Sequence, residues 1–591
     1  MLHLILLLLI FGVLVGALRG TVPRVPSRAA LFIAPQGTIV EQLASDPIQR
    51  AFDEASGRGQ TQTLLWDITD SIRAAAKDKR VEAIVLRLDR MGGAGQPTLS
   101  EIGNALQEYR ATGRKVIAWS NSYNQAQYFL AAQADEIYVD PFGEVLIEGY
   151  DRYRTFYKGL LDKLSVDMHL FRVGAWKTGA ENLVRADMSA EDRAESEVYL
   201  NALWKGYRET VAKARGIAPD AIDAYANGFI EALRAKGGDA AAVAMDAGLV
   251  TGLKTDSQLA ERLVELVGGN EGPQDYNYVT LADYVRVQRA EQKLRRHSGG
   301  SVAVVLASGE ILDGEQPPGT VGGETVSALL RQVRDDDGVK AVVLRVDSPG
   351  GSVFASEQIY REVVSLKEAG KPVVVSMGDV AASGGYYIAA PADRVFAHPL
   401  TITGSIGIYA ALPTIDRTLN KVGVTVDGVG TTALSGKMRV DRPLDPVLRD
   451  YIQLTIEHGY EQFLAHVAQG RSKTRDEVHE VAQGRVWVGT DALARGLVDE
   501  LGSYDDAVKA AAALAKLPEG YAVNRVEPTL SWAEALALQI RARFAHFAGG
   551  VIGPSLQPVR AVLEPLQTEI DRVRHMVEAR DGLAYCFCSI E

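Results

Sequence analysis

Val81–Gly93 reads VEAIVLRLDRMGG, and Val339–Gly351 reads VKAVVLRVDSPGG. The two stretches align without a gap at an offset of 258 residues. The same offset carries Ala134-Asp135 onto Ala392-Asp393 and Pro141 onto Pro399. A repeat of this length means two copies of one folding unit, so it decides the architecture before any single element is assigned. The copies differ where chemistry would sit. Ser348-Pro349 stands opposite Arg90-Met91, Ser383 opposite Gln125, and Ser405 opposite Ile147. Lys177 in the first copy stands opposite Ser435 in the second. The pattern reads as one ancestral site divided between the repeats, a serine kept in one and a lysine in the other.

Working outward, both copies follow one rhythm. A β-branched run (Ala83–Leu88; Ala341–Val346) meets a glycine turn, then an amphipathic helix (Leu99–Tyr109; Ser356–Ala369). A second apolar strand follows (Lys115–Trp119; Pro372–Ser376), then a third (Glu136–Val139; Arg394–Ala397). A long helix comes later in each (Ala190–Ala214; Pro446–Gln469). Leu31–Ala34 and Ser301–Leu306 open the two copies. Continuous apolar strands alternating with helices predict an α/β protein whose mostly parallel sheets are covered on both faces. The expected division is an anchor and linker over 1–29, a lysine-bearing repeat over 30–298, a serine-bearing repeat over 299–516, and a helical tail over 517–591. Arg289–Gly300 reads as the link between repeats, and the tail has no repeat partner.

Composition narrows the function. With 63 basic and 75 acidic residues the net charge is -12, which argues against nucleic acid, whose phosphates need a basic face. The two cysteines, Cys586 and Cys588, sit at the extreme end, so no disulfide framework holds the body. No cysteine or histidine cluster surrounds them, so no metal site is expected. Leu2–Leu18 (LHLILLLLIFGVLVGAL) is an apolar run of 17 residues, read as an N-terminal membrane anchor. A signal-peptide core is the competing reading.

Three segments could carry chemistry. Asp347-Ser348-Pro349-Gly350-Gly351 ends a buried strand, where ligands of open α/β folds gather. Its glycines suit an oxyanion hole, although a tight turn accounts for them equally. Ser383-Gly384-Gly385 opens a small-residue helix, with Ser383 as nucleophile or as helix cap. Thr403-Gly404-Ser405-Ile406-Gly407 leaves a serine between glycines, as nucleophile or as a packed turn. A serine nucleophile needs a base. His398 and His458 are the nearest histidines, and neither lies in a triad setting. Lysine is the other solution. Lys177, in the apolar stretch Val173-Gly174-Ala175-Trp176-Lys177, would be neutralised by desolvation. Lys437 is the rival in the serine-bearing copy.

Together with the duplication, these segments resemble the signal peptide peptidase A (protease IV) family in its long two-repeat form. The resemblance covers most of the chain. It implies a tandem duplication of a Clp protease/crotonase-like domain behind an N-terminal transmembrane helix. It implies a serine endopeptidase without cofactor, with Ser405 (in TGSIG) as nucleophile and Lys177 (in GAWKTGAEN) as base. Gly350 and Gly351 would supply oxyanion donors, with Ser383 or Ser435 supporting the lysine. Expected substrates are cleaved signal peptides and other unfolded hydrophobic peptides. The expected setting is a homotetramer held in the bilayer of a bacterial inner membrane through residues 2–18, its body periplasmic. One departure is visible: no basic residue precedes the apolar run, and Arg19, Arg24 and Arg28 follow it. The positive-inside rule asks the reverse of an exported body. A crotonase-type acyl-CoA enzyme and a non-catalytic membrane scaffold are the alternatives.

Overall fold

The computed structural model describes residues 22–44, 62–270, 275–294, 299–527 and 583–585. The apolar run Leu2–Leu18, the thiols Cys586 and Cys588, and most of the expected helical tail lie outside the described residues. Among the described residues no helix is long and apolar enough to cross a membrane, and no side-chain group is arranged to hold a metal ion.

Two sheets carry the repeats. In the first, Tyr278–Thr280, Ala29–Ile33, Val81–Arg87, Lys115–Ser120, Glu136–Val139 and Gly252–Leu253 lie side by side, all parallel. In the second, Ala522–Val526, Ser301–Ser308, Val339–Ser348 and Val373–Ala382 repeat that order. Val373–Ala382 then feeds two neighbours, Arg394–Ala397 and Ile402–Gly404. Val486–Val488 closes that edge antiparallel to Ile402–Gly404. The strands of the quoted repeat lie within each sheet. Ile84, Val85, Leu86, Val342, Val343 and Leu344 have no exposed surface. Helices cover both faces, so these strands are apolar throughout rather than alternating.

Two expectations change. Ala522–Val526 flanks Ser301–Ser308 as Tyr278–Thr280 flanks Ala29–Ile33, so the tail begins with a strand that completes the second sheet. A five-residue edge strand carries too little periodicity to show its partner in sequence. The expected link Arg289–Gly300 starts inside a helix, Leu281–Leu294. Its buried face is set by Tyr284, Val285 and Val287, upstream of the charges that suggested a linker.

The repeats dock through buried polar bonds. Arg345 donates from Nε to Glu41 Oε1 at 3.0 Å. Asp379 accepts the N–H groups of Gly95 and Thr98 at 3.0 and 2.8 Å. Removing one partner of a buried charge is costly, so these bonds fix how one repeat sits on the other.

A smaller sheet joins the two copies. Asp167–Val173 of the first repeat runs antiparallel to Ile408–Thr414 of the second, with Val173 opposite Ile408. Leu583–Tyr585 lies between Ile408–Thr414 and Gly350–Ser352, antiparallel to both.

Candidate active site

The joining sheet decides where Lys177 goes. Val173 precedes Lys177 by four residues, and its partner Ile408 follows Ser405 by three. One ladder therefore carries both side chains to the same end. The chain turns at Gly174, φ +113°, where a Cβ would meet the Gln483 carbonyl carbon at 2.4 Å. Only glycine allows that approach. Lys177 is 3% exposed. Its Nζ lies 2.9 Å from Ser405 Oγ and donates to Ser383 Oγ at 2.7 Å and to the Ser405 carbonyl oxygen at 2.9 Å. Burial pushes the amine down to about 7, with the Glu195 carboxylate opposing.

Both serines are held in unusual backbone. Ser383 has φ +55° and Ser405 φ +51°, in the region that costs a non-glycine residue free energy. The Ser383 N–H donates to the Gly404 carbonyl at 2.8 Å, and the Ser405 N–H to the Arg485 carbonyl at 2.7 Å. Ser383 precedes the helix Gly384–Ala389 but its side chain does not cap it. The hydroxyl accepts from Lys177 instead.

A short segment absent from the sequence reading locks the pair. Gln483 O accepts the Trp176 N–H at 2.9 Å, next to Lys177. The Gly484 N–H donates to Ile406 O at 2.7 Å, and Arg485 O accepts from Ser405. Val486 stands opposite Gly404. Four consecutive residues thus grip the lysine loop and the serine turn together. Gly484, φ +84°, lies so close that a Cβ would sit 2.6–2.7 Å from Lys177 N and Cα.

Gly350 and Gly351 have φ +99° and +155°. A Cβ on Gly351 would lie 1.9 Å from Ile311 O. The Gly350 N–H donates to Ser348 Oγ at 3.2 Å, and the strand Gly350–Ser352 pairs with Leu583–Tyr585.

The remaining candidates fall elsewhere. Ser435 Oγ accepts the Thr432 N–H at 3.1 Å, and Lys437 is paired with Asp445. Burial holds His398 down to about 4, and its Nδ1 accepts the Leu400 N–H at 3.2 Å. His458 is exposed on the helix Pro446–Gly470. Among the described residues neither histidine bonds to Ser383 or Ser405.

The sequence reading also missed two carboxylates on the helix Ala190–Arg215. Asp192, 1% exposed, accepts from Arg152 Nη1, Arg154 Nη1 and Thr178 Oγ1 at 2.7, 2.8 and 2.9 Å, steadying the residue after Lys177. Glu195 Oε1 accepts the Val486 N–H at 2.6 Å, and burial pushes its carboxyl up to about 8. In sequence Asp192 looks like the acidic first turn common at helix N-termini, and Glu195 like one more charge on a polar helix.

The chain matches Peptidase family S49 over residues 108–268 and 365–518, once in each repeat. It is 41% identical to Protease 4 of Salmonella typhi over 83% of this chain and 79% of that protein. It is 40% identical to Protease 4 of Haemophilus influenzae over 80% and 77%. The chloroplastic serine protease SPPA of Arabidopsis thaliana is 27% identical over 90% of this chain and 78% of that one. An acyl-CoA enzyme and an inert scaffold are thereby set aside. The chain belongs to peptidase family S49, and it is a serine peptidase.

Proposed function

We propose that this peptidase cuts peptide bonds with Ser405 as nucleophile and Lys177 as general base, one residue from each repeat. The observation that carries the reading is the 2.9 Å approach of Lys177 Nζ to Ser405 Oγ in a buried setting. An amine held near 7 is largely neutral at slightly alkaline pH and can take a proton. Lys177 removes the Ser405 proton as Oγ bonds to the substrate carbonyl carbon. The Gly350 and Gly351 N–H groups stabilise the oxyanion. The Lys177 ammonium then protonates the leaving amine as the C–N bond breaks. Water, giving a proton to Lys177, hydrolyses the ester and frees Ser405. Ser383 Oγ holds the amine in place throughout.

Substrate lies as an extended strand against Gly350–Ser352. The antiparallel seat of Leu583–Tyr585 supports this, since an unpaired strand edge accepts a peptide through main-chain bonds. The substrates are cleaved signal peptides and other unfolded hydrophobic peptides. Val422, Val429, Leu434, Met438 and Leu454, exposed over one stretch, support an apolar peptide path or an apolar contact between copies. The further reading is a tandem Clp protease/crotonase-like duplication, anchored through residues 2–18 in a bacterial inner membrane. Its body is periplasmic and assembled as a homotetramer.

The test is covalent labelling with a peptidyl fluorophosphonate, mapped by mass spectrometry. The expected adduct is on Ser405, lost in Ser405→Ala and strongly reduced in Lys177→Ala. An adduct on Ser383 or Ser348, with Ser405 unmodified, would overturn the reading.

A further inference from the structure

We propose that Glu195 is a positioning residue for the Lys177–Ser405 pair: it clamps the strand edge behind Ser405. The proposal rests on the reading of Ser405 and Lys177 given above. Val486–Val488 is the outermost strand beside Ile402–Gly404, and Val486 is buried. Its N–H has no strand left to pair with on that side, and a buried donor without a partner is costly. Glu195, on a first-repeat helix, supplies the acceptor at 2.6 Å. Val486 follows Arg485, whose carbonyl holds the Ser405 N–H, and faces Gly404. Glu195 therefore ties a helix of the lysine-bearing repeat to the turn that aims the serine.

The same carboxyl bears on the base. The charged groups around Glu195 are Asp192 on its own helix, Arg152 from the preceding loop, and Lys177. Asp192 accepts from both Arg152 and Arg154. Among the described residues, Glu195 is the charged group that opposes the effect of burial on Lys177. Held up to about 8, that carboxyl is protonated through the range where the amine, near 7, loses its proton.

Glu195→Gln keeps an acceptor for the Val486 N–H and removes the charge. Glu195→Ala removes both. The experiment is the pH dependence of kcat/KM for a fluorogenic hydrophobic peptide, with fluorophosphonate labelling of Ser405 as a parallel readout. In Glu195→Gln the acceptor for the Val486 N–H remains, so kcat is expected to stay within a few-fold of wild type and the rising limb to keep its position, because a carboxyl held up to about 8 is already protonated through a limb near 7. In Glu195→Ala kcat is expected to fall at least tenfold while KM changes little, because the serine turn is no longer held. A Glu195→Gln enzyme that lost kcat as severely as Glu195→Ala would overturn the role given to the acceptor. A Glu195→Ala enzyme with unchanged kcat would overturn the clamp. If instead Lys177→Ala kept both its activity and the wild-type limb, the dyad reading would fail, a separate outcome.

Discussion

Lys177 is an amine 3% exposed, and its proposed role as base depends on that burial being unfavourable to charge. Its ordinary value of 10.5 falls to about 7 in the folded chain. Below about 7 the ammonium is buried at full cost, and the cost is relieved as pH climbs towards 10.5. Two outcomes are expected. First, kcat/KM should rise with pH through a midpoint near 7, as the amine becomes neutral. A limb centred near 10 would mean the lysine is solvated. Second, Lys177→Met should abolish turnover yet raise Tm at pH 6 by a few degrees, with the gain shrinking by pH 10. Equal melting curves at both values would contradict the burial argument. In sequence, Lys177 stood out by its apolar neighbours and by facing Ser435 across the repeat. Ser383 was ambiguous because its role depends on a left-handed φ, and composition does not reveal that it faces an amine rather than capping its helix.

At the scale of elements, the alignment of the pair rests on a ladder and a clasp. The strands Asp167–Val173 and Ile408–Thr414 set the register, and residues 483–486 close around it. Gly484→Ala is the sharpest test of the clasp. The added methyl would press on the Lys177 backbone, and the φ of +84° disfavours any side chain. Activity is expected to drop about 100-fold, because a displacement near 1 Å suffices for that, while the circular dichroism spectrum is retained. An active Gly484→Ala enzyme would remove the clasp from the account. The clasp was not legible, because Gln483-Gly484-Arg485-Val486 carries no chemical pattern and matters only through contacts made across the fold. The strands themselves were legible. Glu136–Val139 and Arg394–Ala397 were placed by their apolar runs alone, and ends elsewhere shifted by a few residues.

Across the whole molecule, the repeat announced two matching sheets, and the missing serine in one copy and lysine in the other pointed to the pair that the fold brings within 2.9 Å. What it did not announce was the tail. Ala522–Val526 and Leu583–Tyr585 pair with strands far away in sequence, and segments of five and three residues have too little pattern to show it. Because Leu583–Tyr585 fills the slot assigned to substrate, deleting residues 582–591 is expected to raise kcat/KM on short peptides several-fold. Unchanged or lower activity would place substrate elsewhere. The proposed homotetramer is checked by light scattering of detergent-solubilised full chain, which should give the protein mass of four copies. The division of the site between repeats is tested most directly by cleavage of a signal-peptide-like fluorogenic substrate. Wild type, Ser405→Ala, Lys177→Ala and Lys437→Ala are compared, each shown to be folded. The account predicts that Ser405→Ala and Lys177→Ala lose activity by about 1,000-fold or more, and that Lys437→Ala stays within about twofold. Activity that survives Lys177→Ala and disappears in Lys437→Ala would put the base in the serine-bearing repeat and contradict the account.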